Sequence, residues 1–322
     1  MENSSMHPMV VQRADLLRQV RRFFDDRGYF EVQPPCMGRD CVVDAYLDPI
    51  RVQTSELGLA TDDVPRHFFL QTSPESAMKR MLAGGAPSIY SIGPVFRSGE
   101  VGRHHNVEFT MLEWYQRDGD AESQIGLLKD LAEVILRRTA TSVISYREAF
   151  QQSLGVDPIE GDLKRLRSLV QQREPDLAQD LADDRDGLLD VLFSDRVIPQ
   201  LTKESSWIVR DYPLTQAALA RQSARDPDCA ERFEWFVDGI ELANGYDELL
   251  DANELLHRYE SNNRKREAAG RSPLETDTTL LAAMRSGLPQ CAGVALGFDR
   301  LLMLRMGVEH IDDVIPLPID RA

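Results

Sequence analysis

The sequence predicts an α+β fold in which an antiparallel sheet is flanked by helices, and three observations predict it. Apolar strands come in pairs joined by polar loops; helices collect before, between and after those pairs; and the last strand runs directly into a helix. The hairpin pairing argues against a doubly wound parallel sheet, and the absence of a Gly-x-Gly-x-x-Gly opening a helix after a first strand argues against a Rossmann nucleotide site. No P-loop, Gly-x4-Gly-Lys-Ser/Thr, occurs either.

The elements follow in order. Gln12 to Arg27 places Leu16, Leu17, Val20, Phe23 and Phe24 on one stripe and charges opposite, the pattern of an amphipathic helix that Gly28 stops. Tyr29 to Val32 reads as a short strand that Pro34-Pro35 ends, and Met37 to Pro65 is irregular. His67 to Leu70 is a strand. Glu75 to Ala83 is a helix with Ser73 as N-cap and Pro74 in its first position, ended by Gly84-Gly85. Strands Ser88 to Phe96 and Val107 to Tyr115 form a hairpin around a charged loop. A helix spans Glu122 to Arg138, and Ser145-Tyr-Arg-Glu148 opens another with a capping box. Gln151 to Asp195 is acidic and helical without strand signal, so a helical insertion is expected over about 146–200. Strands resume at Ser206 to Arg210, Phe233 to Val237 and Ile240 to Asn244. Helices at Leu249 to Ala269 and Leu274 to Ser286 precede the closing strand, Gly293 to Leu296, and its helix, Asp299 to Met306.

Composition narrows the function classes. Of 322 residues, 37 are Lys or Arg and 53 Asp or Glu, a formal charge of −16. Such a surface repels a polyphosphate backbone and excludes a general nucleic-acid coat. With 42% hydrophobic and 28% charged residues, a packed core is expected rather than disorder. No run of 18 apolar residues and no basic-then-apolar leader occurs, so no membrane partner and a cytoplasmic location are expected. Cys36, Cys41, Cys229 and Cys291 are too scattered for a disulfide scaffold or a zinc site.

Three constellations carry chemistry. In Phe233 to Asn244, the Asp238-Gly239 turn pairs Val237 with Ile240, Phe236 with Glu241 and Glu234 with Ala243. Glu234, Phe236, Glu241 and Ala243 then share a face, with the two carboxylates diagonal neighbours. Such a pair suits Mg²⁺, which one or two carboxylates and substrate phosphates hold, although taken in isolation it fits a solvated polar face better. The second constellation is the loop Arg97, Glu100, Arg103, His104, His105, Asn106. Arg97 leaves a rigid strand and can hold phosphate in a bidentate grip, whereas the adjacent histidines are a poor metal pair and read as loop-packing residues. Beyond the loop, Phe109, Met111, Glu113 and Tyr115 alternate onto one face, and a buried Glu113 requires a cation. The third is Gly293 to Arg300, where a helix starts as a strand ends and Arg300 lies in the first turn, favourable to an anion.

In order and spacing these segments resemble motifs 1, 2 and 3 of the class II aminoacyl-tRNA synthetases: Pro35 after Tyr29 to Val32, Phe96-Arg97 through Asn106 and Glu108-Phe-Thr, and Gly293 to Arg300. Thr72-Ser-Pro-Glu75, Met78-Lys-Arg80, Glu108 to Tyr115, Arg232-Phe-Glu234 and Glu241 to Glu248 resemble the lysyl branch. Arg103-His-His-Asn106, Ile240 to Gly245, Asn263-Arg-Lys-Arg266 and the Asp320-Arg-Ala322 end are most similar to its short paralogues that modify translation elongation factor P. The resemblance covers about Arg13 to the C-terminus. It implies one catalytic domain over 1–322 and leaves no room for an N-terminal OB-fold anticodon-binding domain, so tRNA is not the expected partner.

The resemblance implies an ATP-dependent ligase that activates lysine or (R)-β-lysine as an adenylate and transfers it to a lysine ε-amine of elongation factor P. ATP and Mg²⁺ are the implied cofactors and a homodimer the implied assembly. Arg97 and Arg300 are then the catalytic residues, on the α-phosphate and the bent triphosphate end. Ser98, Gly99, Glu100, Asn106, Phe109 (stacked on adenine), Glu241, Leu242 and Gly297 complete the ATP site, and Glu234 with Glu241 holds Mg²⁺. Ser73, Pro74, Glu75, Glu113, Tyr115, Asn244, Glu248 and Ala295 line the amino-acid pocket, acidic because each buried ammonium must be paired. No general base is needed for activation, which electrostatics and positioning carry.

Two positions depart from the family pattern. Gly99 stands where the family has a Glu, so either Glu100 serves from a shifted loop or that nucleotide contact is lost, and Ala295 stands where a lysyl-tRNA synthetase typically has Gly. The added methyl is worth ~1–3 kcal/mol of discrimination and is expected to shift preference toward (R)-β-lysine. Competing readings are a truncated lysyl-tRNA synthetase, an amide ligase of the asparagine synthetase type, and a weakened paralogue acting as a binding or regulatory protein. ATP–pyrophosphate exchange separates them.

Overall fold

In the computed structural model, residues 6–59, 65–201 and 205–322 are described. The chain divides into two compact units, Met1–Gly119 with Leu249–Ala322, and Asp120–Glu248.

The first unit opens with helix α1 (Met6–Asp25), six residues earlier than its stripe predicts, whose Leu16, Val20, Phe23 and Phe24 are buried. Gly28, at φ +77°, turns the chain into strand β1 (Phe30–Glu31). The stretch expected to be irregular contributes two short strands, β2 (Met37–Gly38) and β3 (Arg51–Gln53), which flank β4 (His67–Leu70) in a small antiparallel sheet. They escape a periodicity reading because two or three residues carry no alternation; residues 60–64 of that stretch lie outside the described ones. Helix α2 (Glu75–Ala83) starts after Pro74, not after Ser73. The Ser73 hydroxyl accepts from the Glu75 N–H at 3.0 Å but sits one residue outside the expected cap. Strands β5 (Ile89–Phe96) and β6 (Glu108–Arg117) form the expected hairpin, in register from Ile89 opposite Tyr115 to Phe96 opposite Glu108.

The second unit begins with α3 (Ala121–Leu136), capped by a box between Asp120 and Ser123. Strand β7 (Thr141–Ser145), which the sequence reading lacks, leads into α4 (Tyr146–Leu154) through the predicted Ser145–Glu148 capping box. Helices α5 (Leu163–Gln171), α6 (Pro175–Leu181), α7 (Arg185–Leu192) and α8 (Ile198–Leu201) follow, with a π-turn at Phe193–Val197. They bury Leu166, Leu188, Leu189, Leu192 and Val197 against Tyr146, Phe150, Tyr212 and Phe236. Strands β8 (Ser206–Pro213), β9 (Cys229–Val237) and β10 (Ile240–Asp247) complete a sheet ordered β10-β9-β8-β7, antiparallel except for the β7–β8 pair.

The chain re-enters the first unit with α9 (Ala252–Ala268) and α10 (Thr279–Gly287). The latter starts five residues later than expected, where Thr278 accepts from the Leu281 N–H. Strand β11 (Cys291–Gly297) runs straight into α11 (Phe298–Met306), as predicted. It pairs with β6 in a sheet ordered β1-β5-β6-β11, antiparallel except that β1 runs parallel to β5. Each unit is therefore α+β with a largely antiparallel sheet and one parallel edge pair, a refinement of the all-antiparallel expectation.

Candidate active site

In the first unit, a buried carboxyl organises one cluster. Glu113 is 1% exposed on β6 and accepts hydrogen bonds from the Ser73 and Tyr115 hydroxyls, each at 2.7 Å. Two residues along one strand share a face, which is why Tyr115 reaches Glu113. Burial pushes the Glu113 carboxyl up to about 7, and Glu75 nearby pushes the same way. Across the sheet Ala295 pairs directly with Glu113, so its methyl lies on the Glu113 face.

Glu75 is held by Lys79, one turn along α2, with Nζ–Oε1 at 2.5 Å; Lys79 is 2% exposed, and its ammonium lies 5.8 Å from the centre of the Tyr115 ring. The sequence places Lys79 in a lysyl-like segment but gives it no role in the site. Its i,i+4 spacing from Glu75 is the signal that marks it. The acidic cluster thus carries a resident ammonium. Pro74 is the residue that precedes α2.

The Arg97 guanidinium lies 5.1 Å from the centre of the Phe109 ring, donates to the Thr72 carbonyl at 3.3 Å and stands 3.7 Å from the Glu100 carboxylate. Glu100 therefore reaches Arg97 from one position beyond Gly99, which is at φ +79° with open space where a Cβ would stand. Ser98 is anchored through its N–H to the Asp48 carbonyl.

Asn106, expected as a nucleotide contact, is held in place at both ends: its amide donates to the Glu108 carbonyl at 2.6 Å and its oxygen accepts from the Ile319 N–H at 3.2 Å. Both ends serve the backbone. His105 departs from its expected role. Arg300, in the first turn of α11, donates to the His104 carbonyl at 3.2 Å and approaches His105 Nε2 at 2.8 Å. Guanidinium only donates, so Nε2 accepts and the ring proton sits on Nδ1. Burial and then Arg300 lower the His105 pKa, keeping the imidazole neutral. The histidine read as loop packing is thus a partner of Arg300. Gly297 closes β11 and precedes α11.

In the second unit, β9 and β10 pair as predicted at Val237–Ile240 and Phe236–Glu241, but a bulge follows, so that Ala243 faces Trp235 and Asn244 faces Glu234. Leu242 is the extra, buried residue. The expected face is corrected accordingly: Asn244, not Ala243, shares the side of Glu234, Phe236 and Glu241. Glu234 and Glu241 remain diagonal neighbours, because Phe236, the partner of Glu241, is still two residues from Glu234 along β9.

Glu234 is 7% exposed; Arg232 binds one of its oxygens and the Tyr212 hydroxyl the other, each at 2.6 Å. Glu241 is exposed. Asn244 donates to the Tyr246 hydroxyl at 2.8 Å, and Glu248 is 1% exposed beyond the end of β10. Among the described residues no group of three or more His, Cys, Asp or Glu converges on a cation position. Mg²⁺ needs no such cage, since one or two carboxylates and substrate phosphates hold it. A carboxylate oxygen with one hydrogen bond retains a lone pair, so Glu234 and Glu241 fit that donor set.

Two comparisons with known proteins bear on this arrangement. The family described as tRNA synthetases class II (D, K and N) matches residues 1–321. A protein of Klebsiella pneumoniae subsp. pneumoniae named elongation factor P–(R)-beta-lysine ligase is 42% identical over 315 residues, 98% of this chain and 96% of that one. A protein of the same name from Salmonella paratyphi B is 42% identical over 319 residues, 99% and 97% of the two chains.

Proposed function

The chain belongs to the class II tRNA synthetase family of the D, K and N kind, and from that premise we propose that it is an ATP-dependent elongation factor P–(R)-β-lysine ligase. The observation that carries the reading is the Glu113 cluster, a buried carboxyl with Ser73, Tyr115 and Glu75 around it, suited to a substrate ammonium that replaces lost solvation.

In the activation step the amino-acid carboxylate attacks the α-phosphorus of ATP and pyrophosphate leaves. Arg97 balances charge at the α-phosphate, with Glu100 and the Phe109 ring fixing its direction. Arg300, turned by His104 and His105, holds the triphosphate end. Glu234 and Glu241 hold Mg²⁺, which supplies charge neutralisation on the phosphates. Ser98, Gly99, Asn106, Leu242 and Gly297 complete the nucleotide site; Ser73, Pro74, Glu75, Glu113, Tyr115, Asn244, Glu248 and Ala295 serve the amino acid. In transfer, a deprotonated lysine ε-amine of the acceptor attacks the adenylate carbonyl and AMP leaves.

Incubation with ATP, Mg²⁺, (R)-β-lysine and elongation factor P, followed by intact-mass measurement of the factor, tests the reading. A gain of one lysyl residue is expected, and an unchanged mass overturns it. Ala295, on the Glu113 face, supports the β-isomer preference. Ala295→Gly is expected to move the (R)-β-lysine to α-lysine ratio of adenylate formation toward α-lysine by about tenfold, within ~1–3 kcal/mol for one methyl. The reading also carries a cytoplasmic homodimer, supported by the exposed Val10, Val11 and Phe30 and by the absence, among the described residues, of a helix able to cross a membrane. Light scattering that gives one chain's mass overturns the dimer.

A further inference from the structure

We infer that the helical segment α4–α8 serves the Mg²⁺ carboxylate. Tyr212 and Arg232 are positioning residues that fix Glu234, and residues of α4 and α7 hold those two in turn. The inference rests on the reading of Glu234 as a Mg²⁺ ligand.

Two routes of contact lead from the helices to Glu234. In the first, Tyr146, the opening residue of α4, packs its ring 4.8 Å from that of Tyr212, and Phe193 packs 4.7 Å from Tyr146 and 5.8 Å from Tyr212. The ring of Tyr212 is thereby pinned while its hydroxyl donates to one Glu234 oxygen at 2.6 Å. In the second, Asp190 of α7 accepts from the Gln216 amide at 2.8 Å, and Asp186 accepts from the Thr215 hydroxyl at 2.6 Å. These bonds hold the 214–216 turn, whose Gln216 carbonyl accepts from Arg232 at 2.5 Å; Arg232 then donates to the other Glu234 oxygen at 2.6 Å and lies 4.6 Å from the centre of the Tyr212 ring. The routes meet at the two oxygens of one carboxylate.

This geometry exceeds what stability asks for. A buried Arg–Glu pair can often be replaced by well-packed apolar residues at no loss of stability. A carboxylate that must meet a cation in one orientation, in contrast, needs both oxygens directed by neighbours, and loss of such a neighbour typically lowers metal affinity 10–100-fold.

Mn²⁺ in place of Mg²⁺ permits a readout separate from turnover. Binding of Mn²⁺ to the full-length protein with ATP is followed by electron paramagnetic resonance, and ATP binding without metal by calorimetry. Tyr212→Phe keeps the ring stack and removes the donor; Asp190→Ala cuts the second route outside the site; Tyr146→Phe removes a hydroxyl that has no hydrogen-bond partner among the described residues. We expect Tyr212→Phe to weaken Mn²⁺ about tenfold with metal-free ATP affinity unchanged, Asp190→Ala to weaken it severalfold, and Tyr146→Phe to match wild type. Wild-type Mn²⁺ affinity in both Tyr212→Phe and Asp190→Ala overturns the inference alone. A wild-type protein that binds no Mn²⁺ with ATP overturns the reading of Glu234, and the inference with it. Should Tyr212→Phe fail to fold, as a thermal melt reveals, Asp190→Ala decides by itself.

Discussion

Glu113 is the residue whose surroundings most constrain its chemistry. Its carboxyl titrates near 7 in the folded chain against 4.5 for the free group, because burial and Glu75 disfavour the charge more than the Ser73 and Tyr115 hydroxyls favour it. Between those values the folded state binds more protons than the unfolded state. Stability therefore falls as pH rises from about 4.5 to about 7, by about 3 kcal/mol in total. Glu113→Gln is expected to flatten that part of the pH–stability curve measured by urea denaturation. It is also expected to weaken amino-acid binding tenfold to a hundredfold, as loss of a charged hydrogen bond of ~1.5–3 kcal/mol implies. A substrate ammonium pulls the proton off, so calorimetry at pH 6 in buffers of different ionisation heats is expected to register proton release on binding by wild type and none by the variant. At Gly99 the left-handed backbone explains the missing family Glu: a side chain there strains the loop by roughly 1–2 kcal/mol. Glu100 takes the place beside Arg97, and Glu100→Ala is expected to raise the KM for ATP in pyrophosphate exchange about tenfold, the effect of one charged contact.

At the scale of elements, α1, β6 and α11 are tied by a single buried carboxylate. Asp299 accepts from Arg13 at 2.5 Å and from the Thr110 N–H at 2.6 Å, and is 1% exposed. Burial raises its pKa, and Arg13 and the Thr110 N–H oppose that rise. Arg13→Met leaves the charge buried without a cation and is expected to cost about 3–5 kcal/mol. The loss shrinks at pH 5 relative to pH 8, since protonation removes the charge, and the urea midpoint at the two pH values checks it. The Ser145–Glu148 capping box of α4 was legible in four residues, and Ser145→Ala is expected to cost about 1 kcal/mol in the same measurement. Strands β5, β6, β9 and β10 were legible because apolar alternation and an Asp-Gly turn are local signals. Strands β2 and β3 were not, being held by pairing with β4 rather than by pattern. The bulge at Leu242 was also hidden, because either register satisfies the alternation of β10 taken alone.

At the scale of the whole molecule, a formal charge of −16 bears on the choice of acceptor. Acidic surfaces gain little from counterion release, so the protein is expected to charge no bulk tRNA with α-lysine or (R)-β-lysine under conditions where elongation factor P is modified. Lysyl-tRNA in an acid-gel assay contradicts this. By itself the sequence determined the α+β class, the order of most elements, the acidic balance and the three constellations through which the family was recognised. The class and the elements rest on composition and on periods of two or 3.6 residues, whereas the family rests on the resemblance of its motif residues in order and spacing. Only the tertiary structure decided that Ser73 bonds Glu113, that His105 partners Arg300, that Asn106 serves the backbone, and that Tyr212 and Arg232 hold Glu234. The physical reason is that a period reports which face of an element is buried. Which polar group meets a given charge on that face depends on desolvation and register between segments as far apart as His105 and Arg300.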